Sequence, residues 1–306
     1  MHVRALLRDD VGAGFPRDYV FSRLHGRHAS LASARPTTAA TFATDEEIWN
    51  AFLSELNWLF RQMNARMRVD YSPLFALFEI KTMVLCLRAA ALPRVEPRGQ
   101  LLERSVLSSR LREILMMPRP LGELVASLGA ELSAVAPDFN RLDGRYFESG
   151  LRGCEDALMR LLLESMRGAQ LVPAVRHFVT RFTDVRNLMA IYKHLHWDLK
   201  GPVALIDGGA LDLASLKRMV LGEDTDALEA AVISVTGHRI TATNELSLET
   251  ILLSSLTRDL ARARRRGEAW VVPHFIWQQY VHARNLAVRL HSASLDRATL
   301  ERELIA

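Results

Sequence analysis

Apolar residues recur along this chain at every third or fourth position, the period of helices that bury one face. Trp49, Phe52, Leu56, Leu59 and Phe60 form one such stripe. Leu101, Leu102, Val106, Leu107, Leu111, Ile114 and Leu115 form another, which predicts a continuous helix over 101–115. Thr44, three residues before Glu47, has the form of a capping box, in which the hydroxyl accepts from the amide three residues on. Glycine and proline combine with polar residues at 92–99, 116–120, 200–202 and 237–247, and helices are expected to break there. Only 203–206 and 232–235 are candidates for short strands, and the second can equally finish a helix. The expected fold class is all-α.

Three times a helix with a basic end runs into a proline, at Pro73, Pro173 and Pro273, and each proline is expected to open a new helix. Ser72 would cap the first of these. Each copy then carries two polar positions three residues apart: Glu79 and Thr82, Asp184 and Asn187, His282 and Asn285. The register of these pairs is kept from copy to copy, while the proline drifts. A repeat that cannot bury its own apolar face must stack on its siblings, so three related helical units are expected, 1–99, 100–202 and 203–306, as a pseudo-threefold array. In the second copy Val175, Phe178, Phe182, Val185, Met189 and Tyr192 make the apolar stripe, with Asp184 and Asn187 on its flank. Two readings of the polar pairs stay open. They can satisfy backbone or a neighbouring helix, since a buried amide or carboxylate without a partner is costly, or three of them can line a polar socket.

The chemistry-bearing residues alter this picture little. The chain has 306 residues, of which 49% are hydrophobic, enough for a full core, and it has no apolar run long enough to span a bilayer. Its first residues, with Arg4, Arg8, Asp9 and Asp10, do not read as a secretory signal, and a cytoplasmic address is expected. Cys86 and Cys154 lack metal-ligand spacing and read as packing residues. The net charge of +4 rests almost wholly on arginine. Arg262, Arg264, Arg265 and Arg266 cluster where a helix is expected to end and meet the negative end of its dipole, so no nucleic-acid partner is expected. The pairs His25/His28 and His194/His196 lack further ligands, and Gly208-Gly209 lacks the strand and helix context of a phosphate cradle. No metal, cofactor or catalytic residue is nominated.

One family resemblance covers nearly the whole chain. The stretch Tyr19–Leu31 (YVFSRLHGRHASL), an aromatic followed by spaced arginines, resembles the opening helix of the C/d-type central-stalk component of the V/A-type (vacuolar/archaeal-type) rotary ATPases. Asp184–Leu188 (DVRNL) is similar to that family's acidic-x-x-Asn-Leu helix, Leu205–Leu211 (LIDGGAL) to its Gly-Gly turn, and Ala283–Leu286 (ARNL) to its last repeated helix, in the family's order. Thr82, His282 and Ala287 depart from the pattern. The resemblance implies a funnel of three helical units and a non-catalytic rotor component on the cytoplasmic face of a membrane. Its partners would be the central shaft subunits and the proteolipid ring, so that it couples ATP hydrolysis or synthesis to proton or sodium movement and meets the membrane only through the ring. Under that reading Tyr19, Arg23, Arg27, Asp184, Asn187, Arg284 and Asn285 are the candidate partner or inter-unit contacts. The alternatives are a helical-repeat interaction scaffold of another kind and an all-α enzyme or small-ligand binder.

Overall fold

The computed structural model describes residues 2–33, 44–91, 96–197, 203–239, 245–292 and 297–305. The break expected at 200–202, parts of those at 92–99 and 237–247, and the side chains of His28–Leu31 lie outside the described residues. The described residues form thirteen α-helices and no strand. They divide into two compact units, Met1–Val175 and Arg176–Ala306.

The first unit opens with a 3-10 turn, His2–Leu6, followed by α1 (Arg17–Ser33), α2 (Asp45–Gln62), α3 (Ala65–Ala90), α4 (Glu96–Arg104), α5 (Ser109–Met116), α6 (Leu121–Leu132) and α7 (Leu142–Met166). The Thr44 hydroxyl accepts from the Glu47 amide, so α2 starts where its sequence says it should. The helix α3 is the core of the unit. Every residue from Tyr71 to Ile80 is buried, and α4, α5, α6, α7 and the N-terminal turn pack against it. Such a helix is apolar all round because it is enclosed all round.

Pro73 lies inside α3 and does not open it. The helix starts earlier, where the Asn64 side chain caps it by accepting from the Met67 amide at 3.0 Å. An interior proline ordinarily costs about 3 kcal/mol, because it removes a donor and crowds the preceding turn. Here the hydroxyl of Ser72 donates to the Val69 carbonyl, the acceptor that Pro73 cannot serve. Ser72 is therefore a mid-helix patch and not a cap.

The apolar stripe over 101–115 is interrupted. Residues 105–108 leave the helix between α4 and α5 and run antiparallel to the N-terminal segment, where Arg8 N donates to the Val106 carbonyl and Ser108 N to that of Leu6. The side chain of Ser108 then caps α5 through the Leu111 amide.

The second unit contains most of α8 (Pro173–His196), then α9 (Leu213–Leu221), α10 (Thr225–Thr236), α11 (Glu245–Arg264), α12 (Val271–His291) and α13 (Arg297–Glu303). Pro173 is the first residue of α8 and Pro273 sits in the first turn of α12, positions where the missing amide hydrogen has no helical partner to lose. Residues 232–235 finish α10, and 203–206 form no strand. The core is aromatic: Phe178 and Phe182 stack at 5.8 Å, and Trp277 meets Phe178 edge-on at 5.7 Å while donating its indole N–H to Thr257. Arg181 of α8 ties α10 and α11 together through the Val235 carbonyl and the Asp259 carboxylate. The cluster Arg262–Arg266 marks the end of α11, as its position along the sequence implies.

Candidate functional site

The shared register of polar positions resolves into two related clamps, an asparagine in the second and third copies and a carboxylate in the first and second. In each case a side chain in the middle of a long helix reaches out to hold an extended segment further along the chain. Asn187 on α8 does this most fully. Its amide donates to the Ile206 carbonyl and its oxygen accepts from the Ile206 amide, both at 2.8 Å and 19 residues away. Asn285 on α12 makes the same pair of bonds to Ile305, at 2.9 and 3.0 Å and 20 residues away. An amide side chain matches a backbone residue because each offers one donor and one acceptor in a plane. The peptide pairs with it much as it would with a neighbouring strand.

Glu79 on α3 performs the job in the first unit with a different group. Its carboxylate accepts from the Val106 amide at 2.6 Å and from the Ser105 hydroxyl at 2.8 Å. These contacts are what break the predicted 101–115 helix, since the amides of Val106 and Leu107 are served by side chains rather than by the preceding turn. Thr82, at the position of the two asparagines, makes no such clamp. It accepts from the Trp49 indole at 3.2 Å and joins α2 to α3. Glu79 is fully buried, and burial pushes its carboxyl above the usual carboxylate range, against the lowering effect of hydrogen bonds from Val106, Thr82 and Ser105.

Asp184 supplements Asn187. It accepts from the Leu211 amide at 3.0 Å and lies 3.8 Å from Arg181, and burial raises its carboxyl too. The Gly208-Gly209 turn is shaped around it. Gly208 has φ +100°, and a Cβ on Gly209 would collide with the Asp184 carboxylate. Gly208 is thus explained by its backbone and Gly209 by a carboxylate that approaches from a distant helix, a relation invisible in the local sequence.

At the third site the clamp is spread over more residues. Arg284 donates to the Glu303 carbonyl at 3.0 Å, to Thr250 at 3.1 Å and to Glu249 at 3.2 Å, and the Thr250 hydroxyl also donates to the Glu303 carbonyl. His282, in register with Asp184, is exposed and leaves this work to Arg284 and Asn285. Asp184, Asn187, Arg284 and Asn285 therefore hold segments of the chain itself. Thr250 and Ser105 belong to the same devices and lie in no motif that the sequence marks.

Tyr19, Arg23 and Arg27 are a separate constellation, in the first unit. They lie along one row of α1 and meet Glu55, Trp58 and Gln62 of α2. The Arg27 guanidinium lies 3.9 Å from the Trp58 ring centroid and pairs with Glu55 at 2.6 Å. Arg23 lies 5.5 Å from Trp58 and 5.8 Å from Tyr19, with long contacts of 3.3 Å to Gln62 and 3.4 Å to the tyrosine hydroxyl. Phe15 packs on Tyr19 with centroids 4.7 Å apart, and both rings are more than two-fifths exposed. Trp58 and Phe15 complete a surface for which the sequence marks only the three α1 residues.

The two cysteines are buried, and burial pushes each thiol up to about 12. Among the described residues no group of three or more histidine, cysteine or carboxylate side chains converges on a point where a metal could bind, and no helix is long and apolar enough to cross a membrane. No protein-family model and no curated protein matches the chain.

Proposed function

We propose that the protein is the central-stalk rotor component of a V/A-type rotary ATPase, the non-catalytic part that joins the central shaft to the membrane proteolipid ring. The observation that carries this reading is the recurrence of clamps in register: Asn187 pairs with Ile206 as Asn285 pairs with Ile305, and Glu79 holds the Val106 amide as Asp184 holds that of Leu211. Asp184, Asn187, Ile206, Leu211 and Asn285 sit in the segments whose order resembles the family, at DVRNL, LIDGGAL and ARNL. The aspartate of the first segment packs against Gly209 of the second and accepts from its Leu211 amide, so two of the marks that carry the resemblance meet in space.

The physics suits the task. A component that passes torque must not yield between its points of load, and loops are ordinarily the softest parts of a helical protein. Here the extended segments are pinned by buried side chains on long helices, which turns them into fixed struts. The three helical units would form a funnel on the cytoplasmic face of the membrane, its socket receiving the shaft and its base resting on the ring. Protons or sodium ions would pass through the ring, and this chain would meet the membrane only there.

Deletion of the gene tests the proposal. The expected result is loss of ATP-driven ion transport in membrane vesicles, with ATP hydrolysis by the detached head persisting. Full transport without the protein would refute it, and would leave a helical-repeat scaffold for another partner as the better reading.

A further inference from the structure

The surface built on Tyr19 joins α1 to α2 through Arg27–Glu55 and Arg23–Gln62, and it also leaves aromatic rings facing solvent. Phe15 and Tyr19 pack on one another and present two adjacent large rings to solvent, so their exposed area is contiguous and not scattered. The backbone beneath Phe15 is pinned: its amide donates to the Gln62 carbonyl at 2.8 Å, at the end of α2. Gly14 just before it has φ +72° and lies so close to the Met63 carbonyl that a Cβ would collide. Arg68 holds the Gly12 carbonyl at 2.6 Å from below. The exposed rings are thus presented by a segment locked at several points, the condition under which exposed area converts into affinity with little ordering cost.

The charges on this surface are unevenly satisfied. Arg27 is committed to Glu55, whereas Arg23 is exposed and, among the described residues, has no carboxylate within ion-pair distance. Its two hydrogen bonds go to neutral oxygens at 3.3 and 3.4 Å, long enough to be weak. Stacking over Trp58 and Tyr19 holds its guanidinium plane while leaving its N–H edge available. A guanidinium oriented by rings and lacking an anion is prepared for one. The row from Tyr19 to Arg27 spans about 12 Å along α1, which fits two turns of a partner helix.

We infer that Phe15, Tyr19, Arg23, Arg27 and Trp58 form a docking platform for an acidic amphipathic helix of a partner protein, whose carboxylate pairs with Arg23 while an apolar neighbour packs on Phe15 and Tyr19. Tryptophan, tyrosine and arginine are the residues in which binding energy concentrates at protein interfaces. A phosphate backbone fits less well, because Glu55 already occupies Arg27 and Asp18 stands exposed on the same helix. This inference does not rest on the rotor reading. An acidic helix can bind here whether or not the chain belongs to a rotary motor.

The test is titration of the full-length protein with a labelled helical peptide of repeated Glu-Ala-Ala-Leu units, its Gln-Ala-Ala-Leu counterpart, and a duplex oligonucleotide. The glutamate peptide is expected to bind and the glutamine peptide to bind about tenfold more weakly, as loss of a charge-assisted bond implies. Arg23→Glu should abolish the preference and Phe15→Ser should weaken both peptides. Both residues are exposed, so circular dichroism should be unchanged, and Arg23→Lys, which keeps the charge but loses the stacking, should fall between wild type and Arg23→Glu. Absence of peptide binding, equal binding of the two peptides, binding indifferent to Arg23, or tighter binding of the duplex would each overturn the proposal. None of those results would touch co-purification with a rotary ATPase, and failure to co-purify would leave the peptide result standing.

Discussion

Replacing Asn187 by alanine removes both partners of the Ile206 peptide at once. Ile206 is 6% exposed and Asn187 1%, so neither the stranded N–H nor the stranded C=O is readily rehydrated. An orphaned buried backbone group costs about 1–3 kcal/mol, which for two groups gives about 2–6 kcal/mol. That is a large share of a total stability of about 5–15 kcal/mol. Asn285→Ala removes the same two bonds from Ile305, but the Asn285 side chain is only half-buried and the segment is held independently by Arg284 and Thr250 through the Glu303 carbonyl. Its expected cost is nearer about 2 kcal/mol, the net worth of two ordinary hydrogen bonds. Urea unfolding should therefore show a midpoint lowered by about 1–3 M for Asn187→Ala and by no more than about 1 M for Asn285→Ala, for a slope of about 2 kcal/mol/M. Amide exchange should report the loss locally, at Ile206, before global unfolding. Asn187→Asp keeps an acceptor for the Ile206 amide but turns an acceptor toward its carbonyl, and should be as damaging as alanine. Equal, small costs at the two asparagines, or unchanged protection at Ile206, would refute the clamp as the source of rigidity.

Two further outcomes follow from the same devices. Gly209→Ala should destabilise by about 1–3 kcal/mol, measured by thermal or urea unfolding, because its methyl meets a buried carboxylate that cannot retreat without giving up the Leu211 amide. Relief of that cost by the second substitution Asp184→Ala would identify the collision as its cause. For Glu79 the folded carboxyl titrates above its unfolded value of 4.5, so the folded state holds its proton to higher pH than the unfolded one. Stability from this group is then greatest below about 4.5 and declines as pH rises from there through the folded value. Glu79→Gln should flatten that decline in unfolding free energy against pH, and an unchanged slope would show that another group carries it.

The sequence announced local devices and hid the distant ones. Thr44 and Glu47 mark the start of α2 because both partners lie within one turn. Ser72-Pro73 imitates the same signal and misleads, because whether a serine before proline caps a helix depends on whether a helix already precedes it. Asn64, earlier in the chain, had already capped that helix. The apolar stripe over 101–115 has helical period throughout, yet Glu79, on another helix, outcompetes the local turn for the Val106 amide. The polar pairs were visible as a register, and the plainer of their two readings, satisfaction of backbone, holds for Glu79, Asp184, Asn187 and Asn285, while Thr82 serves a neighbouring helix and His282 is exposed. Which backbone they satisfy was not legible, since the partners lie 19 to 27 residues away across irregular segments. Of the seven candidate contact residues, Tyr19, Arg23 and Arg27 belong to the surface shared by α1 and α2, while Asp184, Asn187, Arg284 and Asn285 act within the chain.

The most direct measurement of the central proposal is affinity purification of the tagged full-length protein from detergent-solubilised membranes of its own cells, with the retained subunits quantified by mass spectrometry. The rotor reading predicts shaft and proteolipid-ring subunits in fixed stoichiometry, a single copy of this chain to each ring. Recovery of the protein without either set of subunits, under conditions that keep the ATPase assembled, would contradict it.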